Sequence, residues 1–217
     1  MFSHFLDESK DKEFLSDESN AQPTFHKSLL HQVGAPTNEA GLCVELANLY
    51  TEYQLHKAEK KFLNEKPEKV YAEAIEERKH QEVLLNKGED FYHSAFVDNK
   101  IPYHIELVDV EKMKTSEGVK SVLHGVSHAL LMFQLPTPKH SSGKKILHQV
   151  AVGQDKQDSS KSYFFDPNRK EVEVIGPCDE VYTEVANTIQ QNASAHKKDM
   201  VVAIEIAPSL PPYSTHP

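Results

Sequence analysis

Apolar and polar positions follow two periods in succession along this chain. After residue 42, Leu46, Leu49, Tyr50, Tyr53 and more loosely Phe62 recur at three- and four-residue intervals, with Glu, Lys and Gln between them. That spacing predicts a helix starting at Leu42 or Cys43 and lying along one wall of a core. Pro67 interrupts it, and 68–87 predicts a second amphipathic helix with Val70, Ala74, Ile75 and Leu85 inward and Gly88 as its stop. Beyond residue 128 the pattern becomes that of strands: 128–135 (HALLMFQL), 146–152 (ILHQVAV), 162–166 (SYFFD), 171–175 (EVEVI) and 201–206 (VVAIEI) are short apolar or alternating runs. Polar loops carrying Pro or Gly separate the first three, which read as successive antiparallel strands. A helix is expected over 179–197, an extended segment over 101–110 and a short helix over 116–123, while 89–99 is ambiguous. Residues 1–20 are polar with unperiodic Phe and Leu, and 22–37 contain Pro23, Gly34 and Pro36, so both are expected to lie outside regular structure, the first as a mobile arm or weak helix. Helices first and sheet second means α+β. The boundaries are an arm and irregular lead-in over 1–37, one domain over 38–207 and a Pro-rich tail over 208–217.

Composition narrows the partners. A chain of 217 residues is long enough to bury a full core. Its net charge is -9 and no dense Lys/Arg tract occurs, which argues against a nucleic-acid backbone or an anionic membrane as main partner and favours a protein or peptide. Two cysteines make no disulfide framework and suit a reducing compartment. No apolar run would span a bilayer, and the first 20 residues hold acidic and Lys residues where a signal peptide needs an apolar core. A cytosolic site of action is expected, without export by the general secretory route.

Chemistry concentrates first at Cys43. A helix N-terminus offers unpaired N–H groups and the positive end of the dipole, and both favour the thiolate. Gly41 relaxes the backbone just before it, and Asn38 could aim its amide where an attacked carbonyl would develop charge. A hairpin of 146–152 and 162–166 would set His148 across from the end of the strand bearing Asp166, so that the carboxylate fixes the tautomer of the imidazole. His128 opens an apolar strand too and is the alternative general base, but pairing it with Asp166 would turn the whole of 146–152 into a loop. His124 and His128 stand four apart, yet Gly125 between them and the missing third ligand speak against zinc, so neither metal nor cofactor is expected. Cys178 also sits at a loop-to-helix junction, but has no His and Asp to serve it and is read as structural. The charges over 65–80 read as a wet helix face.

Together Cys43 at a helix head, His148 in HQVAVG and Asp166 in FFDPN resemble a papain-like cysteine protease. The FFDPN run after an H-x-V-A-V strand is similar to the YopT/AvrPphB-type bacterial effector proteases of peptidase family C58. The resemblance covers roughly 38–206. It implies a papain-like α+β fold, N-terminal helices on a C-terminal antiparallel sheet, and acyl transfer through a thioester with Cys43 as nucleophile, His148 as base then acid, Asp166 as orienter and Asn38 in the oxyanion hole. It further implies a virulence effector, secreted by a specialised system into the host cytoplasm and cleaving a host protein. The chain departs from the family in following DPN with Arg169-Lys170-Glu171, where a glycine and an aromatic are usual, and in having no Trp. The same triad serves deamidases and transglutaminases acting on protein glutamine, and the same fold can be a non-catalytic protein-binding module. A helical adaptor with Cys43 as ordinary core is the third reading. Labelling of Cys43 by a thiol-directed inhibitor such as E-64 separates the enzyme from the others.

Overall fold

A computed structural model of the chain describes residues 24–35, 41–56, 61–88, 92–136, 146–193 and 200–206. The helix expected at Cys43 is present as α2 (Cys43–His56), and the second as α3 (Pro67–Asn86), with Pro67 in the first turn where its missing N–H costs nothing. Ahead of them lies a helix that the punctuation of 22–37 hid, α1 (Phe25–Gln32). Thr24 caps it by accepting the Lys27 N–H, and Leu29 and Leu30 bury one side. Two turns between Pro23 and Gly34 are too short for a helical period to register against those breakers.

In the ambiguous stretch, α4 is Ser94–Asp98. The extended segment is β1 (His104–Asp109), and it stops early because the Asp109 side chain accepts the Glu111 N–H and starts α5 (Val110–Met113). Then follow α6 (Ser116–Leu123), β2 (His128–Gln134), β3 (Leu147–Gln154), β4 (Ser162–Phe165), β5 (Glu173–Gly176), α7 (Cys178–Asn192) and β6 (Met200–Ile206). The last residues expected in α7, 194–197, lie outside the described residues, as do the arm over 1–20 and the tail over 208–217.

All pairings in the sheet are antiparallel, in the order β1-β6-β2-β3-β4-β5. The class is α+β, with helices laid on a six-stranded sheet. The N-terminal helices cover only one face. Leu130, Ala151, Tyr163, Phe165 and Ile204 point towards α1, α2 and α3, while Leu131, Phe133, Val150, Val152, Phe164 and Ala203 pack with α5, α6 and α7 on the other. Two covered faces explain why β2 reads as an unbroken apolar run instead of an alternating one. The grip between α2 and the sheet is aromatic: Tyr50 stacks on Phe165 with centroids 4.2 Å apart, and Phe62 meets both rings edge-on. That grip fixes where the head of α2 falls.

Candidate active site

Cys43 is the first residue of α2, and its placement is set from both sides. Gly41 has φ +52°, a left-handed conformation that suits glycine. Arg78, reaching over from α3, donates to the Gly41 carbonyl and to Glu45 Oε1, each at 2.8 Å. One guanidinium therefore ties together the residues two before and two after the cysteine. Burial pushes the Glu45 carboxyl upward, and Arg78 opposes that shift. Nothing in the sequence pattern marked this clamp, because Arg78 stands in a helix whose charges read as a solvated face.

On the sheet side the site occupies a gap. β4 pairs with β3 only from Ala151 to Gln154, so the first residues of β3 run on past the end of β4. Carbonyls alternate along a strand: that of Ile146 accepts the Leu135 N–H beside β2, so that of Leu147 points the opposite way, into the gap. Cys43 Sγ donates to Leu147 O there, at 3.7 Å. The thiol thus meets β3 at the edge of the sheet, beside His148.

His148 Nε2 lies 2.8 Å from Asp166 Oδ1, and both residues are 1% exposed. Burial favours the neutral ring, but the carboxylate and its hydrogen bond outweigh burial, and the nearby Cys43 thiol adds to the upward pull. The net effect raises the imidazole above its ordinary range. With Asp166 taking Nε2–H, the lone pair of the neutral ring belongs to Nδ1. The ring packs edge-on against Phe133 at 5.4 Å between centroids. Asp166 is held by the turn that follows it, where the Asn168 N–H donates to the same Oδ1 at 2.8 Å and the Arg169 N–H to the Asp166 carbonyl. This gives D-P-N a physical meaning, an Asx turn with a rigid Pro inside. The start of α1 docks on that turn, Phe25 N–H to Arg169 O and His26 N–H to Pro167 O.

Cys43, His148 and Asp166 are therefore brought together, and the arrangement can pass a thiol proton to an imidazole whose other nitrogen is fixed by a carboxylate. His128 is not brought there. It pairs with Gly153 whereas His148 pairs with Phe133, which puts it at the far end of β2, five residues or roughly 17 Å away. It contacts the Tyr163 hydroxyl at 3.0 Å, and burial lowers it to about 4. His124 closes α6, so His124 and His128 share no helix face. Cys178 opens α7 and is exposed, with Sγ 2.9 Å from Ser162 Oγ. Asn38 lies outside the described residues. Asn168 is a site residue that the sequence pattern does not single out, although it lies within D-P-N; its side-chain Nδ2 is 3.3 Å from His148 Nδ1.

No group of three or more His, Cys, Asp or Glu among the described residues could hold a metal ion, and no helix among them is long and apolar enough to cross a membrane. No protein-family profile matches the chain, and no curated protein does. A solved structure that the fold is similar to is the crystal structure of the Pseudomonas avirulence protein AvrPphB, at 11% sequence identity and a TM-score of 0.48, over 79% of this chain and 94% of that one. A backbone likeness that remote says nothing about chemistry.

Proposed function

We propose that the chain is a cysteine hydrolase that cleaves a protein substrate through a thioester. The observation that supports this best is the meeting of a helix-head thiol with a buried His148–Asp166 pair 2.8 Å apart. Nδ1 of His148 takes the Sγ proton, and the thiolate adds to the substrate carbonyl. His148 then returns the proton to the leaving amine, and the thioester is cleaved by water activated at the same nitrogen. Asp166 holds Nε2–H throughout and stabilises the imidazolium, while Asn38 is assigned to the oxyanion. The net charge of -9 favours a protein substrate over a nucleic acid. From the FFDPN resemblance we further read the chain as a C58-type effector, delivered by a specialised system into a host cytoplasm.

One observation favours a second reading. Cys43 is 7% exposed and His148 1%, so a substrate carbonyl reaches Sγ only through a movement at the mouth. A chain that never opens would be the non-catalytic binding module. Alkylation by iodoacetamide, located by peptide mass spectrometry with exposed Cys178 as internal reference, separates the two. In the enzyme, Cys43 labels at least tenfold faster in the wild type than in His148→Ala. Equal Cys43 rates in the two proteins would overturn the enzyme reading.

A further inference from the structure

Asn168 stands at both ends of the imidazole relay. Its backbone N–H shares Asp166 Oδ1 with His148 Nε2, at 2.8 Å in each case, while its side-chain amide lies 3.3 Å from His148 Nδ1. With Nε2–H committed to the carboxylate, Nδ1 of the neutral ring is an acceptor, and the Asn168 Nδ2–H donates to it. An imidazole nitrogen has one in-plane lone pair, so it cannot take the amide and the thiol at once. The Cys43 thiol competes for the same ring, and it also donates to the Leu147 carbonyl at 3.7 Å. Asn168 itself is exposed, so its side chain can swing away without opening the core.

Resting on the hydrolase reading above, we propose that Asn168 is a positioning residue that competes with Cys43 for the base nitrogen of the neutral His148 ring and so holds back transfer of the Sγ proton. In the productive step the Nδ2–H···Nδ1 bond is exchanged for Sγ–H···Nδ1. The S–H bond then breaks as Nδ1–H forms, leaving thiolate and imidazolium with Nε2–H still on Asp166. A substrate that draws the Asn168 amide to its own carbonyl would couple binding to ionisation. The titratable groups facing the ring are Asp166 from the end of β4 and Cys43 from α2. A donor to the neutral ring holds the imidazolium down, so losing it moves the alkaline limb of the Cys43 reaction upward in pH.

The test is the rate of Cys43 alkylation by iodoacetamide against pH in the wild type, Asn168→Ala, His148→Ala and the Asn168→Ala/His148→Ala double variant, without substrate. Expected is a two- to tenfold rise at neutral pH in Asn168→Ala and an alkaline limb displaced upward, with no Asn168 effect once His148 is gone. An unchanged or slower rate in Asn168→Ala, or a rise that persists without His148, overturns the proposal. These outcomes are separate from failure of the hydrolase reading, in which wild type and His148→Ala label Cys43 alike. Asn168→Asp keeps the backbone bond and Asx turn while replacing the amide donor by an acceptor. It should also shift the limb upward, which a turn-building role alone would not do.

Discussion

Asp166 Oδ1 accepts two hydrogen bonds, one from the ring it orients and one from the turn that orients it. Asp166→Asn keeps size and turn but removes the charge opposite the imidazolium. Turnover per folded molecule is expected to fall by about 10²–10⁴, with a modest change in melting temperature; a collapsed melting temperature with unchanged turnover per folded molecule would sink the assigned role. The same pair makes stability depend on pH. Because the folded value of His148 is raised, the imidazolium stabilises the fold fully below the unfolded value of about 6.5. That contribution is lost as pH rises through the raised folded value. The melting-temperature gap between wild type and His148→Gln should therefore be widest at mildly acidic pH and narrow under alkaline conditions, as followed by circular dichroism. A constant gap would mean that the ring is bound without its charge.

Two elements meet the residues around Cys43, α3 through Arg78 and β3 through the Leu147 carbonyl, and α3 is the one whose contribution is easiest to isolate. Arg78 pairs with Oε1 of Glu45, a buried carboxylate in the first turn of α2, so its removal takes away that carboxylate's ion pair. Arg78→Met is expected to cost about 3 kcal/mol in urea unfolding, at the low end for breaking a buried pair because the arginine is partly exposed. Adding Glu45→Gln should recover much of that loss, and failure to do so would show that the Gly41 carbonyl contact carries the effect instead. α1 acts on the opposite side, through Arg169 O and Pro167 O. Leu30→Ala, at a fully buried α1 position, should cost about 2–5 kcal/mol and, by loosening α1, slow Cys43 labelling in the molecules that remain folded. Labelling that stays at the wild-type rate would separate α1 from the site.

Across the whole molecule the sheet has two ends with different work. At the far end a Cβ on Gly153 would sit 2.6 Å from His128 Nδ1 and 2.7 Å from Ser127 O. Gly153→Ala should lose about 1–3 kcal/mol through overpacking while Cys43 labelling per folded molecule is unchanged; His128→Ala should behave likewise, whereas His148→Ala abolishes the reaction of Cys43 with substrate. A site sensitive to Gly153 would contradict that division. What the sequence determined by itself was local: the helix head at Cys43, the strand of His148 and the turn after Asp166 follow from period, Gly and Pro, which act within a few residues. It also held the choice between His148 and His128, since only one leaves 146–152 free to be a strand. Other features needed the assembled fold. The helix over Phe25–Gln32 is short, and its ends are held by contacts to residues 167 and 169, which no local period records. The gap beside β3 depends on where β4 ends, the clamp of Arg78 on how α3 crosses α2, and the reach of Asn168 to Nδ1 on the ring Asp166 has already turned. The clamp and the Asn168 contact join residues 20 or more positions apart, a distance over which periodicity carries no information and only packing decides.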